Sequence, residues 1–451
     1  MIKSKKGSVT IFLALVTLTF LIFCLVLVEG TRIYFFRVKA MQAMELAEFS
    51  VLSEYQQELF ENYGVFFWEL DYEQGSEHTE ILEQRAGKYL TENAEELLTA
   101  SLNAEKFCRA TDSGGSAFYK QAVEQMKISS GYKVFEEIVK KAGNMTLDEV
   151  NLREILKEHE NAAGGILDGL KSDDKSPLFN ISLPNISFPS INALNEAVFG
   201  EESGLSEKSI DLEGRILNRD LAKGAGAEEE IRATEMQLFH GYIFKHCSYY
   251  GAEDIDVWKE SLEYQVEYII SGRESDRENL ENIMWRIFLL RAAGNYLFYH
   301  QDPERLGKAQ AEAVALVGFL GNTLLIETVK EIFLISQAIE DGITQTRKVF
   351  AGEKVPLYQN GVFAGITLGY EEYLYLFLNM TKSTDKIYRC MDIVEMETRE
   401  KSGYEMLRLD HCVDSFEIQW QYQFSSLFTE LPFLDGDIYE NTIKRKIYYE
   451  N

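Results

Sequence analysis

Residues 9–28 read VTIFLALVTLTFLIFCLVLV, twenty positions without a formal charge, preceded by Lys3, Lys5 and Lys6 and followed by Glu29 and Arg32. As a helix rising about 1.5 Å per residue, such a run spans about 30 Å, the thickness of a bilayer's hydrocarbon core. Insertion gains of roughly 0.3–0.6 kcal/mol for each Leu, Ile, Val and Phe exceed the costs of the threonines among them. A cleaved secretory signal is the competing reading. It would have an apolar core of about 7–15 residues and a small-residue exit, whereas this exit is Leu27-Val28-Glu29-Gly30-Thr31. The lysines favour an inside amino terminus, although Arg32, Arg37 and Lys39 balance them in number on the far side. The expected arrangement is a cytoplasmic leader (1–8), a transmembrane helix (9–28) and an extracytoplasmic bulk: a single-pass cell-membrane protein whose first partner is the lipid bilayer.

Working outward, the helix is expected to continue past the membrane. Residues 31–60 hold neither Pro nor Gly, and Met44, Ala47, Val51, Tyr55 and Leu59 recur at steps of three or four, as one apolar stripe requires. Tyr63-Gly64-Val65-Phe66-Phe67-Trp68 breaks this rod, with an aromatic run suited to a buried strand. Helical periodicity returns over 81–98 and 118–141, so 29–163 reads as a mostly helical membrane-proximal domain. Half of the six prolines, Pro177, Pro184 and Pro189, fall in 164–227, a stretch read as a stiff non-helical linker, with an ordered strap as the alternative. Residues 228–350 read as a helical bundle. A second uncharged run, 313–326, is too short to span a membrane and reads as a buried core helix. In the α+β region 351–451, Phe416, Ile418, Trp420, Tyr422 and Phe424 alternate with Glu417, Gln419, Gln421 and Gln423, which predicts a strand with one apolar face. Its partners are sought in 354–358, 362–367 and 446–449. The fold class is therefore mainly α with a small β component: an anchor helix, a bundle and a small C-terminal sheet.

Composition limits function. Asp and Glu outnumber Lys and Arg by 73 to 45, and a net charge of −28 repels nucleic acid. With 46% hydrophobic residues, 24 Tyr and 28 Phe, the chain is not a disordered stalk. Beyond Cys24 in the span, Cys108, Cys247, Cys390 and Cys412 are widely spaced, and one disulfide or none is expected, with the pairing open. His246-Cys247 and His411-Cys412 offer zinc-type ligands, but adjacent residues point apart, so a metal site is not expected. Thr111-Asp112-Ser113-Gly114-Gly115-Ser116 has the letters of a serine-nucleophile loop without the partners one needs, and reads instead as a helix-starting turn capped by Ser116. Asp435-Gly436-Asp437 has oxygen ligands without the spacing of a calcium loop. No catalytic, cofactor-binding or metal residue is assigned.

The segment Lys6-Gly7-Ser8-Val9-Thr10-Ile11-Phe12 and the exit Glu29-Gly30-Thr31-Arg32 resemble the TadE/TadG-like proteins of the tight-adherence (Tad) pilus system. Glu61-Asn62-Tyr63-Gly64-Val65-Phe66, Glu267-Tyr268-Ile269-Ile270-Ser271-Gly272 and Tyr370-Glu371-Glu372-Tyr373-Leu374 resemble a family of large membrane-anchored proteins of Gram-positive gut-type bacteria, often associated with Tad-like systems. The fifth residue after Gly7 is Phe12, where peptidase-processed pilins carry Glu, so the resemblance to TadG-like relatives implies an uncut anchor. It further implies a structural or assembly component of a surface pilus, meeting pilus or secretion-system subunits through the N-terminal helix. The anchor and assembly residues are then Lys3, Lys5, Lys6, Gly7, Glu29 and Arg32. Glu29 and Arg32, three apart, are expected to pair with each other before any neighbour. An anchored cell-surface binding module is the alternative function, and an anchored hydrolase a weaker one.

Overall fold

The computed structural model describes residues 6–70, 79–128, 152–171, 188–200, 204–226, 231–232, 235–252, 261–356, 367–427 and 438–449. Its helices are α1 (Lys6–Leu52), α2 (Gln57–Tyr63), α3 (Thr79–Asn93), α4 (Asp112–Ile128), α5 (Leu152–Lys171), α6 (Ile191–Phe199), α7 (Met236–His246), α8 (Gln265–Ser271), α9 (Asp276–Tyr299), α10 (Pro303–Val317), α11 (Thr323–Phe350), α12 (Tyr370–Met380) and α13 (Ser383–Arg399). The strands are β1 (Trp68–Glu69), β2 (Leu98–Arg109), β3 (Val355–Pro356), β4 (Thr367–Leu368), β5 (Cys412–Ser425) and β6 (Ile438–Tyr448). The class is mainly helical α+β. Two compact units divide the chain, one made of 1–124, 220–231 and 398–451, the other of 125–219 and 232–397. Each is thus assembled from stretches distant in the chain.

In the first unit, α1 runs unbroken out of the apolar segment. Phe36, Ala40, Ala43, Met44, Ala47 and Val51 are buried at helical spacing and form one core with Leu82, Ala86 and Leu90 of α3 and with Phe416, Ile418, Trp420, Tyr422 and Phe424 of β5. The alanines let the helix backbone approach the sheet. Trp420 keeps its indole N–H satisfied by donating to Thr99 Oγ1 at 3.1 Å. Strand β5 is the sheet's centre: β2 pairs antiparallel along one edge, with Trp420 opposite Leu102, and β1 and β6 share the other, with Trp420 opposite Ile443.

Several sequence expectations change here. Helix α1 stops at Leu52 rather than near Phe60, and α2 follows, closed by Gly64 in the left-handed region, where its N–H reaches Phe60 O at 2.8 Å. The 63–68 aromatic run contributes only Trp68 to a strand. Helix α3 ends at Asn93, and Leu98–Arg109 is a long strand, so this stretch is not simply helical. Stretches 354–358 and 362–367 contribute nothing to the main sheet within the described residues: Val355 pairs with Leu368 and Pro356 with Thr367 in a separate ribbon.

In the second unit, α9, α10 and α11 pack together, with α5 against α11. Gly342 of α11 sits where an added Cβ would lie 3.1 Å from Ala292 Cβ, so a hydrogen is what permits this crossing. The expected single core helix over 313–326 is instead the end of α10, a tight turn (Gly318–Leu320), Gly321 at positive φ and the Asn322 cap that opens α11. Phe319 and Leu324 stand exposed at that corner. Part of the expected linker is ordered: 164–171 belongs to α5, and Ile210 N–H donates to Glu274 O (2.9 Å), Ile216 N–H to Asp392 (2.9 Å) and Arg219 to both oxygens of Glu395 (2.5 and 2.7 Å). Within that linker, the near-repeat Asn180-Ile181-Ser182-Leu183-Pro184 and Asn185-Ile186-Ser187-Phe188-Pro189 falls mostly outside the described residues, as do 129–141 and 435–437.

Candidate functional site

The N-terminal half of α1 is the feature that composition cannot reconcile with a buried place. Its best 18-residue window has a mean hydropathy of 3.1, and none of that window is buried. Thr17 and Thr19 do not spoil it, because their hydroxyls donate back to Leu13 O (3.0 Å) and Leu15 O (3.1 Å) within the helix. Among the described residues this is the one helix long and apolar enough to cross a membrane. Lys6 and Gly7 begin it, while Lys3 and Lys5 lie outside the described residues.

At the exit, Glu29 is only 4% exposed and lies on the same helix face as Phe36 and Ala40. Its carboxylate accepts the Leu427 N–H at 3.3 Å on both oxygens and is hydrogen-bonded by the Tyr439 hydroxyl, whose own ionisation is pushed up by burial and by the Glu29 charge. Arg32 Nη1 stands 3.8 Å from Glu29, and its guanidinium lies 5.1 Å from the Phe36 ring centre. The spacing therefore brings Glu29 and Arg32 together as the sequence predicts. What the sequence hides is that Glu29 also ties the helix to the ends of β5 and β6, through residues about four hundred positions away. Ring contact between Phe36 and Phe424, 4.6 Å between centroids, reinforces the same junction.

The opposite face of α1 is mixed: Tyr34, Phe35, Met41, Leu46 and Phe49 are all more than half exposed, and they alternate with exposed Arg37, Gln42 and Glu45. Beside its far end lies an open groove of about 790 Å³, lined by Phe49, Tyr55, Phe66, Tyr448 and Tyr449 with Glu45, Glu48, Arg445 and Lys446 at its polar margin. Phe66 stacks on Tyr449 at 5.6 Å and on Phe60 at 4.4 Å.

The remaining candidates resolve into structural roles. In the 111–116 motif, Ser113, Gly114 and Gly115 all take positive φ, and Asp112 rather than Ser116 is the anchoring residue. Its carboxylate accepts N–H groups from Arg109 (2.9 Å), Gly224 (3.0 Å) and Gly226 (3.2 Å). His246 meets Gln125 at 3.1 Å and packs on Tyr242, and Cys412 Sγ lies 3.5 Å from Arg408 O. No group of three or more His, Cys, Asp or Glu is placed to hold a metal ion among the described residues. Two buried polar ensembles carry perturbed ionisation. Glu267, fully enclosed, is pushed up to about 7 by burial and accepts from Tyr370 (2.5 Å) and Tyr250 N–H (2.9 Å). Lys386 is lowered to about 8 by burial and contacts His240 Nε2 at 3.0 Å while donating to Leu378 O.

Comparison with known families adds one finding: the model of a family of unknown function matches residues 190–363 and 360–424, together just over half of the chain. No curated protein and no solved structure matches it.

Proposed function

The chain belongs to that family of unknown function, DUF5702, and we propose that it is a single-pass, membrane-anchored, extracytoplasmic structural or assembly component of a Tad-like surface pilus system. The observation that carries this reading is the two-faced α1. One face is sealed against the sheet from Glu29 to Val51, and the other presents Tyr34, Phe35, Met41, Leu46 and Phe49 to the surroundings. A helix anchored by its first half is held upright with its neighbours in the same bilayer, and an outer face that presents large apolar side chains among Arg37, Gln42 and Glu45 suits lateral packing against helices of pilus or secretion-system subunits. The resemblance of 6–12 and 29–32 to TadE/TadG-like anchors supports the same partners. A second reading, an anchored surface-binding module, draws on the aromatic groove beside Tyr449.

Two measurements test the proposal. External protease applied to intact, wall-stripped cells is expected to digest the bulk and spare 1–28; complete protection would overturn the orientation. Sheared surface filaments are expected to carry the chain together with pilus subunits. The double change Phe35→Glu, Phe49→Glu is expected to remove it from filaments while leaving it in the membrane fraction. A chain found only as a free monomer that binds peptide or glycan would replace this reading with the second.

A further inference from the structure

The corner between α10 and α11 takes no part in the function proposed above. Residues 313–326 read AVALVGFLGNTLLI, fourteen positions without a formal charge between Glu312 and Glu327, in a chain of which 26% of residues are charged, so the gap is out of keeping with an ordinary solvated tip. Helix α10 packs along α11, and the turn Gly318–Leu320 joins them, with Gly321 at positive φ. Val314 is 47% exposed, Phe319 63% and Leu324 66%, and Ala315, Gly321 and Thr323 are exposed around them. Tyr296 and His300 of α9 meet α11 at Glu331 (3.2 and 3.0 Å), about two turns in from its start, so these contacts lie behind the corner rather than on it.

Single exposed apolar side chains are ordinary on a protein surface. Three large ones concentrated at one corner, with no charge among them, mark a contact surface. Its chemistry favours lipid over a protein partner. Asn322 and Thr323 are the only polar side chains of 313–326, whereas a specific protein interface carries about one hydrogen bond per 100–200 Å² and is enriched in Arg. The turn also satisfies much of its own backbone: Gly321 N–H donates to Gly318 O, Leu325 N–H to Asn322 Oδ1 and Ile326 N–H to Asn322 O, each at 3.1 Å. Those bonds lower the cost of taking the corner out of bulk water.

We propose that the α10–α11 corner is an interfacial membrane contact, in which Phe319 and Leu324, with Val314 beside them, dip into the headgroup–acyl boundary of an electrically neutral lipid surface; this rests on the membrane-anchored reading. Interfacial insertion is shallow, about 5–10 Å, so an uncharged run too short to span a bilayer is long enough for it. A corner of three large apolar side chains binds a membrane only weakly by itself. On the anchored reading, the span of α1 already holds the chain at a bilayer, so the second contact forms at high local lipid concentration and needs little affinity of its own. Glu312 and Glu327, which bound the run, disfavour an anionic surface.

The test reconstitutes the full-length chain into phosphatidylcholine vesicles that carry a phosphatidylcholine with a diazirine on its acyl chain, irradiates them and maps the attached lipid by mass after digestion. Label is expected in two segments, 9–28 and 313–326. The double change Phe319→Glu, Leu324→Glu should reduce label in 313–326 to background and leave that in 9–28 unchanged. Both side chains are exposed, so the urea midpoint should stay where it is, which separates loss of contact from loss of fold. Label confined to 9–28 in the unaltered chain would overturn the corner contact and leave the anchor standing. Absence of label from both segments would remove the anchor and the corner contact together. Label in 313–326 that survives the double change would overturn the assignment to Phe319 and Leu324. A corner that lipid leaves unlabelled but that cross-links to a protein in intact cells would replace the bilayer with a protein partner.

Discussion

At the scale of single residues, Asp112 shows how one carboxylate holds two remote stretches together. Asp112→Ala leaves the N–H groups of Arg109, Gly224 and Gly226 without their acceptor. It is expected to cost about 2–3 kcal/mol, read as a lower urea midpoint for the first unit. Gly224→Ala should do comparable damage by a different route, since its Cβ would be driven into the Phe107 carbonyl oxygen and the Asp112 carboxylate. Glu267 makes a pH prediction for the second unit. Burial raises its ionisation from 4.5 to about 7, so between those values the folded state holds a proton that the unfolded state has released. The contribution of this one carboxyl to stability is therefore fully present below about pH 4.5, is lost as pH rises through 7, by roughly 3 kcal/mol, and then levels. Thermal unfolding of Glu267→Gln across pH 4.5–8 should lack that portion of the slope. Of these residues, the sequence exposes only the kind of pair that Glu29 and Arg32 make, three apart on one helix. Asp112 was invisible as an anchor because its donors arrive from 224 and 226, and Glu267 because nothing local signals its enclosure.

At the scale of elements, the balance is set by what each strand or helix leans on. Trp420 sits at the centre of the α1–sheet core, and Trp420→Ala should cost about 3–5 kcal/mol and loosen the sheet. Near-ultraviolet dichroism and denaturant midpoints would register this. Gly342→Leu should separate α9 from α11 by filling the space beside Ala292, again lowering the unfolding midpoint, whereas Gly307→Ala, in open space on α10, should not. The strand over 416–424 was legible because one covered face imposes strict alternation. Its main partner was not: β2 is an edge strand with half of its positions exposed and only two buried, Lys106 at positive φ interrupts its register, and its pairing crosses some 320 residues. A break such as Gly321-Asn322 was readable as turn chemistry, yet the uncharged run around it suggested continuity. Charge-free length alone does not tell a single helix from two that meet at a corner.

At the scale of the whole molecule, the proposed membrane location rests on the apolar half of α1, and the first unit decides whether the chain is intact. Deleting 1–28 is expected to move the protein from the membrane pellet to the supernatant without changing its circular dichroism per residue, because the stripe that packs on the sheet begins only at Glu29. Stopping the chain at residue 397 should do the reverse: it keeps the anchor but removes β5 and β6, and the outer part of α1 loses its cover, detectable as rapid proteolysis of the anchored product. That arrangement has a temporal side. The spine helix leaves the ribosome several hundred residues before the strands that cover it, so at roughly 5–20 residues per second its seam waits on the order of 20–70 s for closure. Until β5 and β6 have been made, that face of α1 is uncovered, and the emergence of those strands, rather than of the helix itself, is what shields it.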